Sequence, residues 1–328
     1  MTPTRLLLAF SLLLPGGACT SKDHGTEAVA KAEPAPASPG GTETIVIAPR
    51  PAPTVTVVDE GAEPHMPMRL RPQAGTREIL EMAIGMEMSM RSGAQALPSM
   101  PVPTTRTRLS AQVQDVGTEE FSVQHAVDTV TVEASPGTPQ AVIDKVEEST
   151  RPLTQYRAVM RMSDRGAVLG GEVSIPRDLP APLQQTMQQM TESLGQLAAP
   201  LPEPPVGPGA RWTAVYDVTS SGMKLRQTVH YTMVERHDQQ ATLELTIEQA
   251  LLDPKVDVPG MLGTSARVSR FDSSGQGRMQ LDLDHVMPAS MTMTLDMSMA
   301  MDVSVLGQDQ HVEMDMDMTM TMTRTVEG

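Results

Sequence analysis

The sequence predicts a mainly β fold: a large curved antiparallel sheet, read as a duplicated β-meander or half-barrel, with two short helical inserts. Three observations carry this prediction. Through residues 287–325, apolar side chains hold every second position, as Met291, Met293, Leu295, Met297 and Met299 and then Met314, Met316, Met318, Met320 and Met322, with mostly polar or acidic residues between them. A period of two marks strands with one buried face. The first run is odd-numbered and the second even-numbered, so a tight loop of even length, placed at 306–311 with Gly307 and Asp309, puts both apolar sets on one face of a hairpin. Upstream, shorter runs are separated by turn residues such as Asp164-Arg165-Gly166 and Asp238-Gln239-Gln240.

In chain order, residues 1–18 read as a signal peptide, with Arg5 ahead of an apolar run at 6–14 and then Gly16, Gly17 and Ala18. The run is too short to span a bilayer as a mature helix. Cys19, the single cysteine, follows directly. This arrangement resembles a bacterial lipobox, which implies diacylation of Cys19, although Gly16 stands where that motif usually has Leu. A lone thiol is a liability in an oxidising compartment, and acylation gives it a purpose. Thr20-Ser21-Lys22 lacks the Asp that usually marks inner-membrane retention in enterobacterial lipoproteins, so the expected location is the outer membrane, facing the periplasm or the cell surface. Residues 19–63 form the lipidated cysteine and a disordered Pro/Ala-rich tether. Strand-like islands at 44–47 and 54–58 are assigned to that tether.

Residues 64–328 form the body. Strands are expected at 66–71 and 76–90, then a hairpin at 105–115 and 119–133. A helix at 138–150 follows from the Val142, Ile143, Val146 stripe behind Pro139. A second hairpin, 153–163 and 167–175, turns at Gly166. A second helix at 183–197 carries Met187, Met190, Leu194 and Leu197 at spacings of three and four. Strands at 211–219, 223–237 and 241–252 come next, and 265–272 and 277–285 flank a turn at Ser273-Ser274-Gly275. The order of elements suggests two repeat halves, 66–178 and 205–328.

Leu70-Arg71-Pro72-Gln73-Ala74-Gly75-Thr76 leads into Met-alternating strands, and Gly209-Ala210-Arg211-Trp212 opens the second half. With the Cys19 motif and the Pro-rich tether, these resemble a group of uncharacterised bacterial lipoproteins. Thr76-Arg77-Glu78 lacks the aromatic residue of that group's opening strand. The resemblance implies a fold and no chemistry. In general shape, the expected sheet also resembles half-barrel carriers of lipids or lipoproteins.

Aromatic residues are 2% of the chain while methionines number 27. Thioethers must therefore fill the volume that Phe and Tyr usually fill, and they adapt to irregular gaps. They are also soft ligands for Cu(I). Neighbours two apart on a strand are roughly 7 Å apart, and Leu and Val share their face, so core packing accounts for the pattern first. Asp282, Asp284, Asp296, Asp302, Asp315 and Asp317 match no calcium-loop spacing and read as solvated strand faces that discourage edge association. His65, His125, His230, His237, His285 and His311 show no metal-ligand spacing, and Trp212 reads as a core anchor. No nucleophile elbow or phosphate loop is present.

These readings predict no enzyme activity, no cofactor, and no catalytic or metal site; Cys19 lipidation is the one assigned site. The formal net charge of −15 argues against nucleic acid as a partner. The leading expectation is an exported, lipid-anchored envelope protein that binds an apolar ligand or lipid without catalysis, its membrane contact being the anchor. The alternatives are a structural or assembly lipoprotein that docks onto an envelope protein complex, and Met-based Cu(I) binding. A Met-lined cavity of about 300 Å³ or more would favour the carrier, and a filled core the scaffold.

Overall fold

A computed structural model describes residues 42–49, 52–93, 95–96, 102–135, 137–176, 199–220, 223–256, 264–305 and 308–327. The expected signal peptide, Cys19 and the second expected helix lie outside these residues. The strands are β1 (Thr42–Ile47), β2 (Thr54–Asp59), β3 (Arg77–Ser92), β4 (Gln95–Ala96), β5 (Thr104–Val116), β6 (Glu120–Glu133), β7 (Arg157–Ser163) and β8 (Val168–Pro176). They continue as β9 (Arg211–Ser220), β10 (Met223–His237), β11 (Gln240–Leu251), β12 (Lys255–Val256), β13 (Thr264–Asp282), β14 (Ser290–Val305) and β15 (Gln308–Glu327). The described helix is α1 (Gln140–Thr150), which buries Ile143 and Val146 and runs into a 3₁₀ turn at Arg151–Gln155.

All the described strands belong to one open, antiparallel sheet of 15, ordered β1-β8-β7-β6-β5-β3-β15-β14-β13-β11-β10-β9-β2, with β4 on β3 and β12 on β13. Two meanders, β3 to β8 and β9 to β15, meet where β15 pairs with β3. The hairpin parity holds, with Met297, Met299 and Met291 opposite Met316, Met314 and Met322, but residues 308–311, expected in the turn, are strand: Val305 already pairs with Gln308 and Asp302 with His311.

Three expectations are corrected. Residues 273–275 are not a turn but lie inside the 19-residue β13. A Cβ on Gly275 would sit 2.6 Å from the Thr294 carbonyl oxygen, and one on Gly277 2.7 Å from that of Thr292. Glycine serves close approach to β14 here, not reversal. Residues 66–71 do not form a strand; only Met66 bridges to Val206. The islands assigned to the tether are the two edge strands of the sheet, β1 on β8 and β2 on β9.

That last point fixes the curvature. The sheet's opposite edges are joined by residues 48–53 alone, a length that reaches at most about 25 Å. The sheet must curl until its edges nearly meet. Ile45 and Ile47 from one edge, and Val55 and Val57 from the other, accordingly pack on the same core. Residues 60–75 and 199–210 stop one end of this curl. Leu70 donates to the Asp164 carbonyl (2.7 Å), Arg71 to that of Leu283 (2.6 Å) and Ala62 to that of Pro208 (2.8 Å). Met68, Leu201 and Val206 are buried as the stopper's apolar side, each such burial contributing about 1.5–3 kcal/mol. Trp212 stacks on Tyr231 at 5.3 Å and donates its indole N–H to the Pro200 carbonyl at 3.0 Å, which ties the stopper to the core. A second, smaller core around Met299, Met301, Met314, Val268, Met223 and Leu225 lies toward the far ends of the long strands.

Candidate functional site

Between the two cores, the register draws one continuous row across the inner face: Tyr216, Gln227, Gln249, Ser273, Met297, Met316 and Met88, each directly opposite the next. Its first four members form a hydrogen-bonded ladder. Gln227 Nε2 donates to Tyr216 Oη (2.7 Å), Gln249 Nε2 to Gln227 Oε1 (2.7 Å), and Ser273 Oγ to Gln249 Oε1 (2.9 Å). Burial pushes the Tyr216 phenol above its usual range, so it stays protonated at neutral pH. From Met297 on, the row is thioether, and the next row adds Met318 and Met86 beside Leu295. Met86, Met88, Met297, Met316 and Met318 are each half-buried, whereas Met299, Met301, Met314 and Met322 are buried. The hairpin methionines thus share one face, as the alternation predicts, but the middle of that face is partly open.

The outer face of the same strands is acidic. Asp296 lies opposite Asp317, and Asp317 opposite Glu87; all three are exposed, with Asp315 next to them. None has a Lys or Arg partner among the described residues, the nearest ion pairs being Arg91–Glu313 and His311–Asp302. Like charges placed directly opposite are unfavourable. The Asp317 carboxyl is held above its ordinary value by desolvation first, then by Asp296, Glu87 and Asp315. Asp317→Asn is therefore expected to raise the melting temperature at low ionic strength, with the gain shrinking in high salt, where screening already weakens the repulsion. Equal gains at both ionic strengths would refute a charge origin. Apolar inside and charged outside is the reverse of a transmembrane barrel.

At the stopped end, Glu78 is fully buried on the inner face of β3. Its Oε1 accepts the Val286 N–H (2.9 Å) and faces His285 Nδ1 (3.3 Å), and its Oε2 accepts the Met287 N–H (3.0 Å). Arg324 stands 4.0 Å away, donates to the Met287 carbonyl, and reaches Asp282, which also faces His285 Nε2 at 3.7 Å. The cavity beside this cluster holds about 10 Å³. The cluster's effect is to clamp the β13–β14 connection. The best-formed cavity among the described residues, about 120 Å³, lies by Leu70, Pro72, Phe121 and Asp164, away from the methionines. Among the described residues, no group of three or more His, Cys, Asp or Glu side chains converges as a metal site, and no helix is long and apolar enough to cross a membrane. His230 and His311 are exposed and His125 is buried, so the histidines stay dispersed.

Sequence reasoning missed Glu78, Gln227, Gln249 and Ser273 as inner-face groups. The signal was their phase: Glu78 alternates with Leu80 and Met82, and Gln227 with Leu225 and Val229. No family model matches the chain, and no curated protein matches it.

Proposed function

We propose that this chain is an exported lipoprotein without catalytic activity, tethered through Cys19, whose curled sheet is a rigid platform that docks onto a protein of the cell envelope. The observation that supports this reading is the row Asp296–Asp317–Glu87, exposed on adjacent strands with no cation opposite it. A Lys- or Arg-rich partner surface would relieve its internal repulsion and gain in association rate and specificity. A carrier that encloses a lipid needs a chamber of about 300–1,000 Å³. The described core side chains gather into two clusters, and the two pockets described beside them hold about 120 and 10 Å³. The half-buried methionines favour a second reading, an apolar ligand held against an open inner face.

Reversible crosslinking of the full chain in its own cells separates the two readings. Docking predicts one dominant, stoichiometric partner that is lost when Asp296 and Asp317 are both changed to Lys. Absence of a dominant partner, or one indifferent to those changes, would sink the docking reading. Lipid copurifying in native mass spectrometry would establish the second.

A further inference from the structure

We infer that the half-buried methionines of the inner face form a thioether site for a soft monovalent metal ion, Cu(I) being the biological candidate. Fourteen of the 27 methionines lie on one face of three adjacent strands: four on β3, five on β14 and five on β15. Along any single strand the thioethers form only a line, but the pairing of three strands gathers them into a compact patch. Met88, Met316 and Met297 stand directly opposite one another on three neighbouring strands, and Met86 stands opposite Met318 one row away. Neighbouring strands lie about 4.8 Å apart and alternate residues about 7 Å apart. Five thioethers therefore project from a patch two rows deep and three strands wide. Each has three rotatable bonds with which to bring its sulfur to a common point, and soft thioethers select Cu(I) over harder ions.

Packing alone does not ask for this composition. Elsewhere in the interior methionine is mixed with other apolar residues, Met68, Met160 and Met233 being buried among Leu80, Leu109, Val123, Ile175, Leu243 and Trp212. In the two middle rows, five of the six positions on β3, β14 and β15 carry sulfur, Leu295 being the sixth. An apolar ligand would be served as well by Leu or Phe, so it does not explain the choice of thioether. Partial burial leaves a path for an ion, which the sealed methionines at Met299, Met301 and Met322 lack. The field is favourable too. Glu87, Asp296, Asp315 and Asp317 alternate with these methionines on the opposite side of the same strands, and no Lys or Arg occupies the two rows. This site lies on the face opposite the proposed docking row, and both draw on the same carboxylates.

The test uses the full chain with Cys19→Ser, which removes the single thiol, under reducing and anaerobic conditions. Cu(I) is offered in competition with bicinchoninate. The expected result is withdrawal of one Cu(I) per chain, weakened by at least about 10–100-fold in Met316→Leu/Met318→Leu, the scale on which metal sites respond to loss of supporting groups. The volume-conserving pair Met279→Leu/Met322→Leu, in the sealed core, is expected to leave binding unchanged. No withdrawal, or equal weakening in both pairs, or none in the first, overturns the inference. Ag(I) titration of methyl-labelled methionine in the unsubstituted protein gives an answer that needs no core variant. A few methyl resonances shifting together at one equivalent supports the site; none shifting, or all shifting progressively, refutes it.

Discussion

Urea unfolding of Glu78→Ala is expected to show a loss of about 3–5 kcal/mol, the cost of removing one partner from a buried, charge-assisted cluster. The substitution strands the N–H groups of Val286 and Met287, which donate to the two carboxylate oxygens at 2.9 and 3.0 Å. Each buried donor left unpaired costs about 1–3 kcal/mol. It also leaves Arg324, whose side chain is 7% exposed, with Asp282 as its remaining acidic partner. Glu78→Gln is expected to recover only part of the loss, because the amide nitrogen turns a donor toward a donor. A midpoint change of less than about 1 kcal/mol in Glu78→Ala would show that the clamp is not a principal support of the fold.

The second large effect is a dependence on pH. His125 lies on β6 between Ala111 and Ala158 in register, fully enclosed, with no hydrogen-bond partner for Nδ1. Glu78, one strand beyond Ala111 on the same row, is already engaged by Val286, Met287 and His285. Burial pulls the His125 pKa down to about 4, against about 6.5 for the unfolded chain. Between these values the unfolded state holds a proton that the folded state does not. Stability is therefore complete above pH 6.5, falls as the pH drops through the window, and levels off below pH 4, a loss of about 3 kcal/mol from this group. His125→Leu is expected to remove that component. Because carboxylates titrate nearby, the readout is the difference between the two stability–pH profiles. Parallel profiles would rule out His125 as the cause.

What could be read from the sequence was what local alternation encodes. Met291 to Met299 and Met314 to Met322 fix their own faces, and the parity between the two runs fixes the face they share, whereas the pairing of Val305 with Gln308 that shortens the turn shows only in the sheet. Helix α1 was legible for the same reason, a stripe behind a proline. What escaped depends on partners distant in sequence. Thr42–Ile47 pairs with residues 171–176 and Thr54–Asp59 with residues 211–215, so their local sequence marks them as strand-like but gives no partner that takes them out of a Pro-rich tether. Gly275 reads as a turn because the strand that crowds it, β14, is not visible from its neighbours. The polar ladder from Tyr216 to Ser273 was half legible. A Gln in apolar phase announces a buried amide, but only the sheet order shows that the groups satisfy one another.

The arrangement in which one short stretch supplies both margins of the sheet also has a mechanical meaning. Tension applied to the chain at Thr42 meets the end of β1 that is paired with Pro176. Pulled away from its neighbour, a six-residue margin opens one hydrogen bond at a time rather than all at once. The 16- and 20-residue strands β14 and β15, flanked on both sides, lie far from that load path. Thr42–Ile47 is thus a peelable seam. It can yield under load, exposing little of the interior, while the remaining strands keep their register.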